Sequence, residues 1–279
     1  MPVLKKAEVT PDILKTLYSS RRLSNWRIAD QFGVSRSHVF TLLRRNNIAV
    51  RTRAEAHRKY KRSPFNGRLE DKAYLLGFAI GDLRVRAQHE KSETIGIACS
   101  STHPAQIALI RSLFSLYGRV WVGKTSNSGV VACEAFVDLS FSFLLPKERS
   151  IDWIFEAPSH FFAFLAGFTD AEGSIFISNQ KKAILTWGQY NQHLLKLIKG
   201  YLHELGYQTG SVLNDHLKGY VGKDGYVRTQ NYFHLTCAKQ ESLTDLLNVL
   251  KPYIKHTEKQ RAISKALAFL SRKRKNAKT

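Results

Sequence analysis

Two acidic residues, Asp82 and Glu172, are the side chains of this 279-residue sequence best placed to do chemistry. Each ends an apolar stretch containing glycine and alanine, KAYLLGFAIGD at 72–82 and HFFAFLAGFTDAE at 160–172. A carboxylate at a helix C-terminus faces the negative end of the helix dipole, and two neighbouring carboxylates repel each other. A divalent cation removes this conflict, because Mg²⁺ prefers oxygen ligands, commonly one or two carboxylates with water and phosphate. The pair therefore predicts metal-assisted phosphodiester hydrolysis; the alternative is two ordinary acids at helix ends.

Small residues in the same two stretches predict that the helices pack directly against each other. An interior glycine costs a helix about 1 kcal/mol relative to alanine, so a close backbone contact must offset that cost. Such a contact would bring the C-terminal ends of the helices together, with the two acids side by side. The small residues are Gly77, Ala79 and Gly81 in the first stretch and Ala163, Ala166, Gly167 and Ala171 in the second.

The chain after residue 69 contains the same order of elements twice. Each copy starts with one of the two apolar helices and continues as strand, strand, helix, strand, strand, helix, and the two acids are 90 residues apart. An internal repeat of this length indicates two similar half-domains related by pseudo-twofold symmetry. The sequence therefore predicts an α+β fold with αββαββα half-domains at 70–157 and 158–270.

The N-terminal residues 1–50 are predicted to form a small all-α domain. Residues 11–48 have the pattern of three short helices, the last two with the spacing of a helix-turn-helix unit. Ala29 allows close packing, Gly33 allows a left-handed turn, and Ser35 is a natural N-cap for the last helix. Side chains of that helix predicted to contact DNA bases or phosphates are Arg36, Ser37, His38, Arg44 and Arg45.

Charge and composition narrow the class of partner. The chain has 43 Lys and Arg against 22 Asp and Glu, a net charge of +21, which indicates a polyanionic partner, most simply nucleic acid. Residues 51–69 form a basic linker, in which Arg51 and Arg53 are predicted to follow a phosphate backbone, and residues 271–279 form a basic tail. Three isolated cysteines predict neither a zinc site nor a disulfide framework. No apolar run approaches ~20 residues and the N-terminus lacks a signal-peptide core, so we expect a cytoplasmic or organellar-matrix protein that is not secreted.

The predicted strands alternate as if one face of each sheet were polar. Ile175 and Ile177 point away from that face, and Phe176 falls on it without fitting a polar surface. Arginine and glutamine make paired hydrogen bonds to guanine and adenine, which favours a sheet laid on DNA over a half-buried polar sheet. The residues predicted to contact DNA from the strands and their loops are Arg84, Arg86, Gln88, Lys124, Ser174, Ser178, Gln180, Lys182, Thr186, Arg228 and Gln230.

The segments LLGFAIGDL (75–83) and FLAGFTDAEG (164–173) resemble the two motifs of LAGLIDADG homing endonucleases in their single-chain form. The resemblance covers about residues 70–270; the first motif is degenerate, with Leu83 where glycine is usual. It implies that the motif helices form the interface between half-domains with saddle-shaped antiparallel sheets. It also implies a monomer that binds a long double-stranded DNA site and makes a staggered double-strand break. The cofactor implied is Mg²⁺ or Mn²⁺, with no organic cofactor.

The resemblance assigns roles residue by residue. The metal-binding residues fall on the acids Asp82 and Glu172 together with Gly81 and Ala171, and Asp170 is expected to be structural, with Ile80 as its counterpart. The polar residue after the second strand falls on Gln189 and Ser101. The basic residue that assists the attacking water has its expected position at Thr257. The lysines near that position or its counterpart in the first copy are Lys255, Lys259 and Lys147.

Two other functions use the same fold. Relatives of this family act as RNA maturases that assist intron splicing, with intron RNA as the partner, or as transcription regulators that do not cleave. The helix-turn-helix segment suits a regulator. Both acids are present, however, and an idle carboxylate pair beneath a polyanion would be repulsive, which favours the enzyme. The chain lacks a starting Cys or Ser and a terminal His-Asn, so it is expected to be a free-standing, intron-encoded enzyme rather than an intein.

Overall fold

The computed structural model describes residues 9–52, 55, 56, 60–87, 89, 92–222, 225 and 227–276. Residues 274–276 are described without their side chains. The chain divides into two compact units, Met1–Tyr60 and Lys61–Thr279. The boundary between them falls inside the predicted basic linker. No helix in the described ranges is long and apolar enough to cross a membrane.

The N-terminal unit contains the predicted helices. Helix α1 (Pro11–Lys15) continues through a π-helical turn at Thr16–Ser20 and is followed by α2 (Asn25–Phe32) and α3 (Arg36–Arg45). Gly33 ends α2 with a φ of +61°, and the Ser35 hydroxyl accepts the His38 N–H at 3.1 Å. Both local predictions are confirmed, because a left-handed residue and an N-cap make the sharp turn between α2 and α3. The buried core of this unit is formed by Leu14, Leu17, Tyr18, Ile28, Ala29, Val39 and Leu43.

The first copy of the repeat starts with the first motif helix, α4 (Leu69–Gly81). It continues through β1 (Arg84–Ala87), β2 (Ile95–Ser101), α5 (Pro104–Phe114), β3 (Arg119–Val122) and β4 (Val131–Val137). Two short 3₁₀ helices, Leu139–Leu144 and Asp152–Glu156, close it. The four strands form one antiparallel sheet in the order β1-β2-β4-β3.

The second copy repeats this plan and starts with the second motif helix, α6 (Pro158–Glu172). It continues through β5 (Gly173–Ser178), β6 (Lys182–Gln189), α7 (Gln192–Glu204), β7 (Leu213–His216), β8 (Tyr232–Cys237) and α8 (Gln240–Leu250). Its antiparallel sheet has the matching order β5-β6-β8-β7. The predicted α+β architecture of two four-stranded half-domains is therefore confirmed.

One long helix was not predicted. Helix α9 (Thr257–Asn276) follows α8 and runs into the segment expected to be a basic tail. Its apolar side is buried at Ile263, Ala266 and Leu270, which recur at the spacing of one helical face. This spacing was available in the sequence, but the many charged residues around it obscured the pattern.

The two motif helices meet backbone to backbone at one glycine each. A β-carbon at Gly77 would lie 2.0 Å from the carbonyl oxygen of Phe164, and one at Gly167 would lie 2.0 Å from the carbonyl oxygen of Tyr74. The two contacts are related by the 90-residue repeat, so each half contributes one glycine and receives one. Alanine at either position would overlap a backbone atom that cannot move aside, which explains why glycine is tolerated inside both helices.

We predict that Gly77→Ala and Gly167→Ala each destabilise the protein by about 2–3 kcal/mol or more, because the added methyl group forces the motif helices apart. The matched control is Gly200→Ala in α7, where a β-carbon would meet nothing within 4 Å. That substitution should stabilise the protein by about 0.5–1 kcal/mol, since alanine is the better helix former. Urea denaturation of the three variants measures the difference, and equal effects at all three glycines would contradict the close contact.

Candidate metal and nucleic-acid site

The C-terminal ends of the two motif helices meet, as the sequence predicted. A β-carbon at Gly81 would lie 2.5 Å from the β-carbon of Ala171 and 2.7 Å from the γ-carbon of Glu172. Asp82 is the C-cap of α4, and Glu172 is the last residue of α6. The two acids therefore lie at adjoining helix ends, one in each of the two pseudo-symmetric half-domains.

Each acid receives a hydrogen bond from a glutamine side chain. The Gln106 amide donates to the Asp82 carboxylate at 2.7 Å, and the Gln189 amide donates to the Glu172 carboxylate at 3.4 Å. The role predicted for Gln189 thus fits its position. Ser101, the counterpart predicted for the first half, lines the cavity beside Asp82, and its hydroxyl accepts the His103 N–H at 3.0 Å in the turn before α5. The amide there comes from the first turn of a helix rather than from a strand end.

Burial and mutual repulsion favour the neutral forms of both acids. Asp82 is exposed as a residue, but desolvation of its carboxyl by the surrounding protein raises its pKa, and the Gln106 hydrogen bond and the Lys259 charge oppose that rise. Burial, followed by the charge of Asp82, raises the pKa of Glu172 to about 7, and Lys259 again opposes the rise. Without a cation the protein therefore holds two carboxylates in a place where their ionisation is costly.

Lys259 is the cation of this site. Its ammonium donates to the carbonyl oxygen of Gly173, directly after Glu172 in the chain. Burial lowers the pKa of Lys259, and the charges of four acids, Asp82 and Glu172 among them, oppose this shift. Lys259 lies two residues beyond Thr257, where the resemblance placed the assisting base. Both residues are in the first turn of α9, and this turn places Lys259 beside the carboxylates.

The other two lysines proposed for the same role lie elsewhere. The Lys255 ammonium is 3.4 Å from a carboxylate oxygen of Asp71, in the first turn of α4, and lies over the Tyr74 ring. Asp71 is at the N-terminal end of α4, about 16 Å along the helix from Asp82. Lys147 is exposed in a turn that follows the first 3₁₀ helix. The prediction that these two side chains assist at the carboxylate pair therefore receives no support from the geometry.

Asp170 fastens the chain that leads to Lys259. One carboxylate oxygen accepts the Tyr74 hydroxyl at 2.6 Å and the backbone N–H groups of Lys255 and His256 at 2.8 and 3.0 Å. These three bonds join α4, α6 and the segment before α9. The expected structural role of Asp170 is consistent with this arrangement, because its bound oxygen is already fully used.

A cavity of about 280 Å³ lies beside the first acid. Its lining includes Asp82, Gln106, Ser101, His256 and Lys259. His103 and Glu258 also line it, 3.7 Å apart, so the wall combines residues of both half-domains. The site is thus open beside Asp82 rather than sealed within the core.

The donor set suits a divalent cation shared with a phosphate. Among the described residues no cluster of three or more His, Cys, Asp or Glu side chains could hold a metal by itself. Two carboxylates with raised pKa values are nonetheless the ligands that Mg²⁺ uses when water and substrate phosphate complete its shell. Backbone carbonyls of Gly81 and Ala171, predicted as further ligands, come from residues that touch at this junction.

The strand residues predicted to contact DNA occupy the open faces of the two sheets. In the first sheet Arg84 and Arg86 are exposed, and Arg86 forms an ion pair with Glu134 at 3.1 Å. In the second sheet Ser174 pairs with Thr186, and Ser178 pairs with Lys182. Each pair therefore shares one face.

The remaining predicted contacts lie in loops and in the N-terminal unit. Gln180 is in the β5–β6 turn with a φ of +55°, and Lys124 and Gln230 are exposed in loops. Arg228 donates its backbone N–H to Tyr220 and accepts from Gly219 within the β7–β8 connection. Gln88 and Arg53 lie outside the described residues. The predicted contacts on α3 are all exposed: Arg36, Ser37, His38, Arg44 and Arg45.

One expectation about side-chain direction was wrong. Arg51, proposed as a phosphate contact, donates its guanidinium to the carbonyls of Arg22 and Leu23 and stacks on the Tyr18 ring at 4.2 Å. It therefore packs against the core of the N-terminal unit, where an arginine stem packs well. Ile177 does lie on the face opposite Ser174 and Ser178, paired with the buried Ala183, but it is 37% exposed beside the groove between β5 and α9.

The raised pKa of Glu172 predicts a pH-dependent stability. The pKa rises from 4.5 to about 7 on folding, so proton-linked stability is present below pH 4.5 and is lost as the pH rises through 7. In metal-free buffer Glu172→Gln should therefore match the wild type near pH 4.5. Above pH 7 it should be more stable by about 1–2 kcal/mol, after allowance for solvent screening.

Thermal unfolding with EDTA between pH 4.5 and 8 measures this difference. Glu204→Gln, an exposed glutamate at the end of α7, is the matched control and should show no comparable trend. A pH-independent difference between Glu172→Gln and wild type would contradict the raised pKa.

Comparison with known protein families gives a match over part of the chain. Residues 165–269 match the family described as LAGLIDADG endonuclease. No curated protein sequence matches the chain.

Solved structures of similar fold include two complexes of the homing endonuclease I-DmoI. The complex with DNA and Mn is 16% identical, covers 65% of this chain and 97% of its own, and has a TM-score of 0.45. The complex with DNA and Ca is 15% identical, covers 70% and 97%, and has a TM-score of 0.48. Full-length DUF199/WhiA from Thermatoga maritima is 17% identical, covers 76% and 63%, and has a TM-score of 0.46.

The match begins inside the second motif helix, includes Glu172 and Gln189, and ends inside α9. The first half-domain repeats the strand order of the second and contributes the other acid at the shared helix junction. Residues 165–269 are thus similar to the LAGLIDADG endonuclease family, and the first half-domain repeats the same plan with its own motif helix and acid.

Proposed function

We propose that this protein is a site-specific DNA endonuclease that makes a metal-dependent, staggered double-strand break. The observation that carries the proposal is the meeting of Asp82 and Glu172 at adjoining helix ends beside Lys259. Two neighbouring carboxylates whose ionisation is unfavourable are useful where a divalent cation and a phosphate are brought together. The net charge of +21 supports a polyanionic substrate, and double-stranded DNA is the partner that suits two pseudo-symmetric sheets.

The carboxylates of Asp82 and Glu172 would hold Mg²⁺ or Mn²⁺, together with the Gly81 and Ala171 carbonyls. When bound, the ion would activate water and stabilise the departing oxygen. Gln106 and Gln189 keep the carboxylates oriented by donating to them. Lys259 places a positive charge beside both acids, where it offsets their repulsion and attracts the scissile phosphate.

The exposed polar faces of the two sheets would bind the DNA on either side of the cut. One acid from each half matches the two strands of a duplex, so a monomer is sufficient for a double-strand break. The N-terminal helix-turn-helix unit, with five exposed side chains on α3, would bind flanking DNA. We assign this role to residues 1–50, with 51–69 as the connection and 70–157 and 158–270 as the cutting half-domains.

A DNA-binding regulator that does not cleave is the second candidate, and the N-terminal unit favours it. A regulator, however, would gain nothing from ionised carboxylates beneath the phosphate backbone. Intron RNA is the partner in the remaining alternative, a maturase.

These three functions are distinguished by incubating the protein with a DNA duplex in which the two sequences that flank its open reading frame are joined directly. Paired cuts with Mg²⁺ and none with EDTA support the endonuclease. Tight DNA binding without scission supports the regulator. Tight binding of the intron transcript without DNA scission supports the maturase.

We predict that Asp82→Asn and Glu172→Gln each reduce double-strand cutting at least 1,000-fold while changing DNA affinity less than about 3-fold, because the amides keep the shape of the site but lose the charge that holds the metal. Affinity is measured in EDTA by fluorescence anisotropy, and cutting by gel analysis with Mg²⁺. A loss of affinity as large as the loss of cutting would show that the acids serve the fold instead.

We further predict that Gln106→Ala lowers the rate of cutting about 10–100-fold, since the Asp82 carboxylate loses its only described side-chain donor. Ser101→Ala should change the rate less than about 3-fold, because its hydroxyl bonds to the adjoining turn. A titration of the rate with Mg²⁺ provides the readout, and the Gln106 variant should need more metal. A larger effect at Ser101 than at Gln106 would restore the assignment made from the sequence.

A further inference from the structure

Helix α9 lies alongside the β5–β6 hairpin over its whole length. Near the start of the helix, the Lys259 ammonium donates to the carbonyl of Gly173, the first residue of β5. Near the other end, the Lys273 ammonium donates to the carbonyl of Lys181, in the turn of the hairpin. β5 is an edge strand of its sheet, so α9 flanks an edge that no other strand covers.

One side of α9 presents a row of cations to solvent. Arg261, Lys265 and Arg272 recur at intervals of four and seven residues, which places them within about 40° of one another around the helix. All three are exposed, and none forms an ion pair with another described residue. The sole acid in the α9 sequence, Glu258, lies 3.7 Å from His103 at the start of the helix.

A groove of about 360 Å³ separates α9 from β5, and its two walls differ. From the helix it is lined by the cations Arg261 and Lys265, by Glu258 and by two alanines. From the strand it is lined by Ile175, Phe176 and Ile177. Phe176 is an apolar side chain on the face of the sheet predicted to be polar, and it is 44% exposed there. The groove thus offers an apolar wall beside a cationic one.

We infer that this surface, formed by Arg261, Lys265 and Arg272 with Phe176, binds the sugar-phosphate backbone of the DNA beyond the sheet. The inference rests on the proposed function, which supplies DNA as the partner. The row from Arg261 to Arg272 is about 16 Å long, so its three cations can face a short run of phosphates of one strand. Deoxyribose is the apolar part of that backbone, and it suits the exposed Phe176 ring.

Electrostatics distinguishes this surface from an ordinary solvated helix face. Basic side chains also occur on the helices that cover the apolar faces of the sheets, such as Arg111 on α5 and Lys196 on α7. Those helices pack behind the sheets, whereas α9 lies beside the edge strand β5, where Phe176 of the open face lines the groove between them. Phosphate contacts at α9 would release counterions, and remote charges would add only a weak, screened attraction.

The test compares two triple variants of the full chain, each with three fewer positive charges. The first is Arg261→Gln, Lys265→Gln and Arg272→Gln. The control is Arg111→Gln, Lys196→Gln and Lys251→Gln, also all exposed. Binding of a 40-base-pair duplex is measured in EDTA at several salt concentrations, and circular dichroism checks the fold. We expect the slope of log affinity against log salt to fall by about 2–3 in the first variant and by less than 1 in the control.

A further variant, Phe176→Ala, should weaken binding about 3–10-fold with the salt slope unchanged, because it removes an uncharged contact. The proposal is overturned if the two triple variants have equal slopes, or if the α9 variant loses binding to an RNA duplex but not to DNA. Mg²⁺-dependent cutting by the wild type is scored separately. If the two triple variants have equal salt slopes and the wild type cuts DNA, only the α9 surface is rejected. If the slope falls in the α9 variant but the wild type does not cut DNA, only the nuclease function is rejected.

Discussion

The structure depends on one backbone contact between the two motif helices. Gly77 lies against the Phe164 carbonyl, and Gly167 lies against the Tyr74 carbonyl. Because both contacts involve main-chain atoms, side-chain rearrangement cannot shift the helices. Nearly every residue from Ala73 to Ala79 and from Phe161 to Asp170 is buried around them, so hydrophobic burial holds the contact closed. The helix ends, and the acids they carry, are thereby placed by the most rigid part of the molecule.

That placement has an electrostatic cost which the rest of the site only partly offsets. Gln106 and Gln189 each donate one hydrogen bond, and Lys259 contributes one positive charge, yet burial still raises the pKa of both acids. A protein selected for stability alone would place a basic or neutral side chain at these helix ends. Unfavourable charge held on a rigid support is typical of functional sites. The rigid support that makes ionisation of the two acids unfavourable would also hold their side chains in position for the cation and phosphate of the proposed function.

The sequence was sufficient for the parts of this structure that depend on local pattern. Glycines at matching positions, alternating strands and the 90-residue repeat predicted the half-domains and the junction of Asp82 with Glu172. Ser35 and Gly33 were likewise predictable, since a cap and a left-handed turn are local features. Gln106 was not, because whether an amide on the first turn of α5 reaches Asp82 depends on how that helix packs. For the same reason Lys255 could not be distinguished from Lys259, and Arg51 could not be recognised as part of a core. In α9 the apolar spacing was present, but no helix was predicted there, and residues 271–279 were expected to be a basic tail.

The two halves share a backbone plan but support their acids differently. In the second half Asp170 binds the Tyr74 hydroxyl and two backbone N–H groups, fastening the chain that leads to Lys259. In the first half the corresponding position is Ile80, and Arg149 instead directs its guanidinium to the carbonyls of Leu144 and Ala79. One lysine then serves both acids, and one glutamine comes from a helix while the other comes from a strand end. A homodimer would be forced to build both halves alike. A single chain is free of that constraint, so each carboxylate here has its own donors and its own proton affinity, and the pair is symmetric in backbone but not in chemistry.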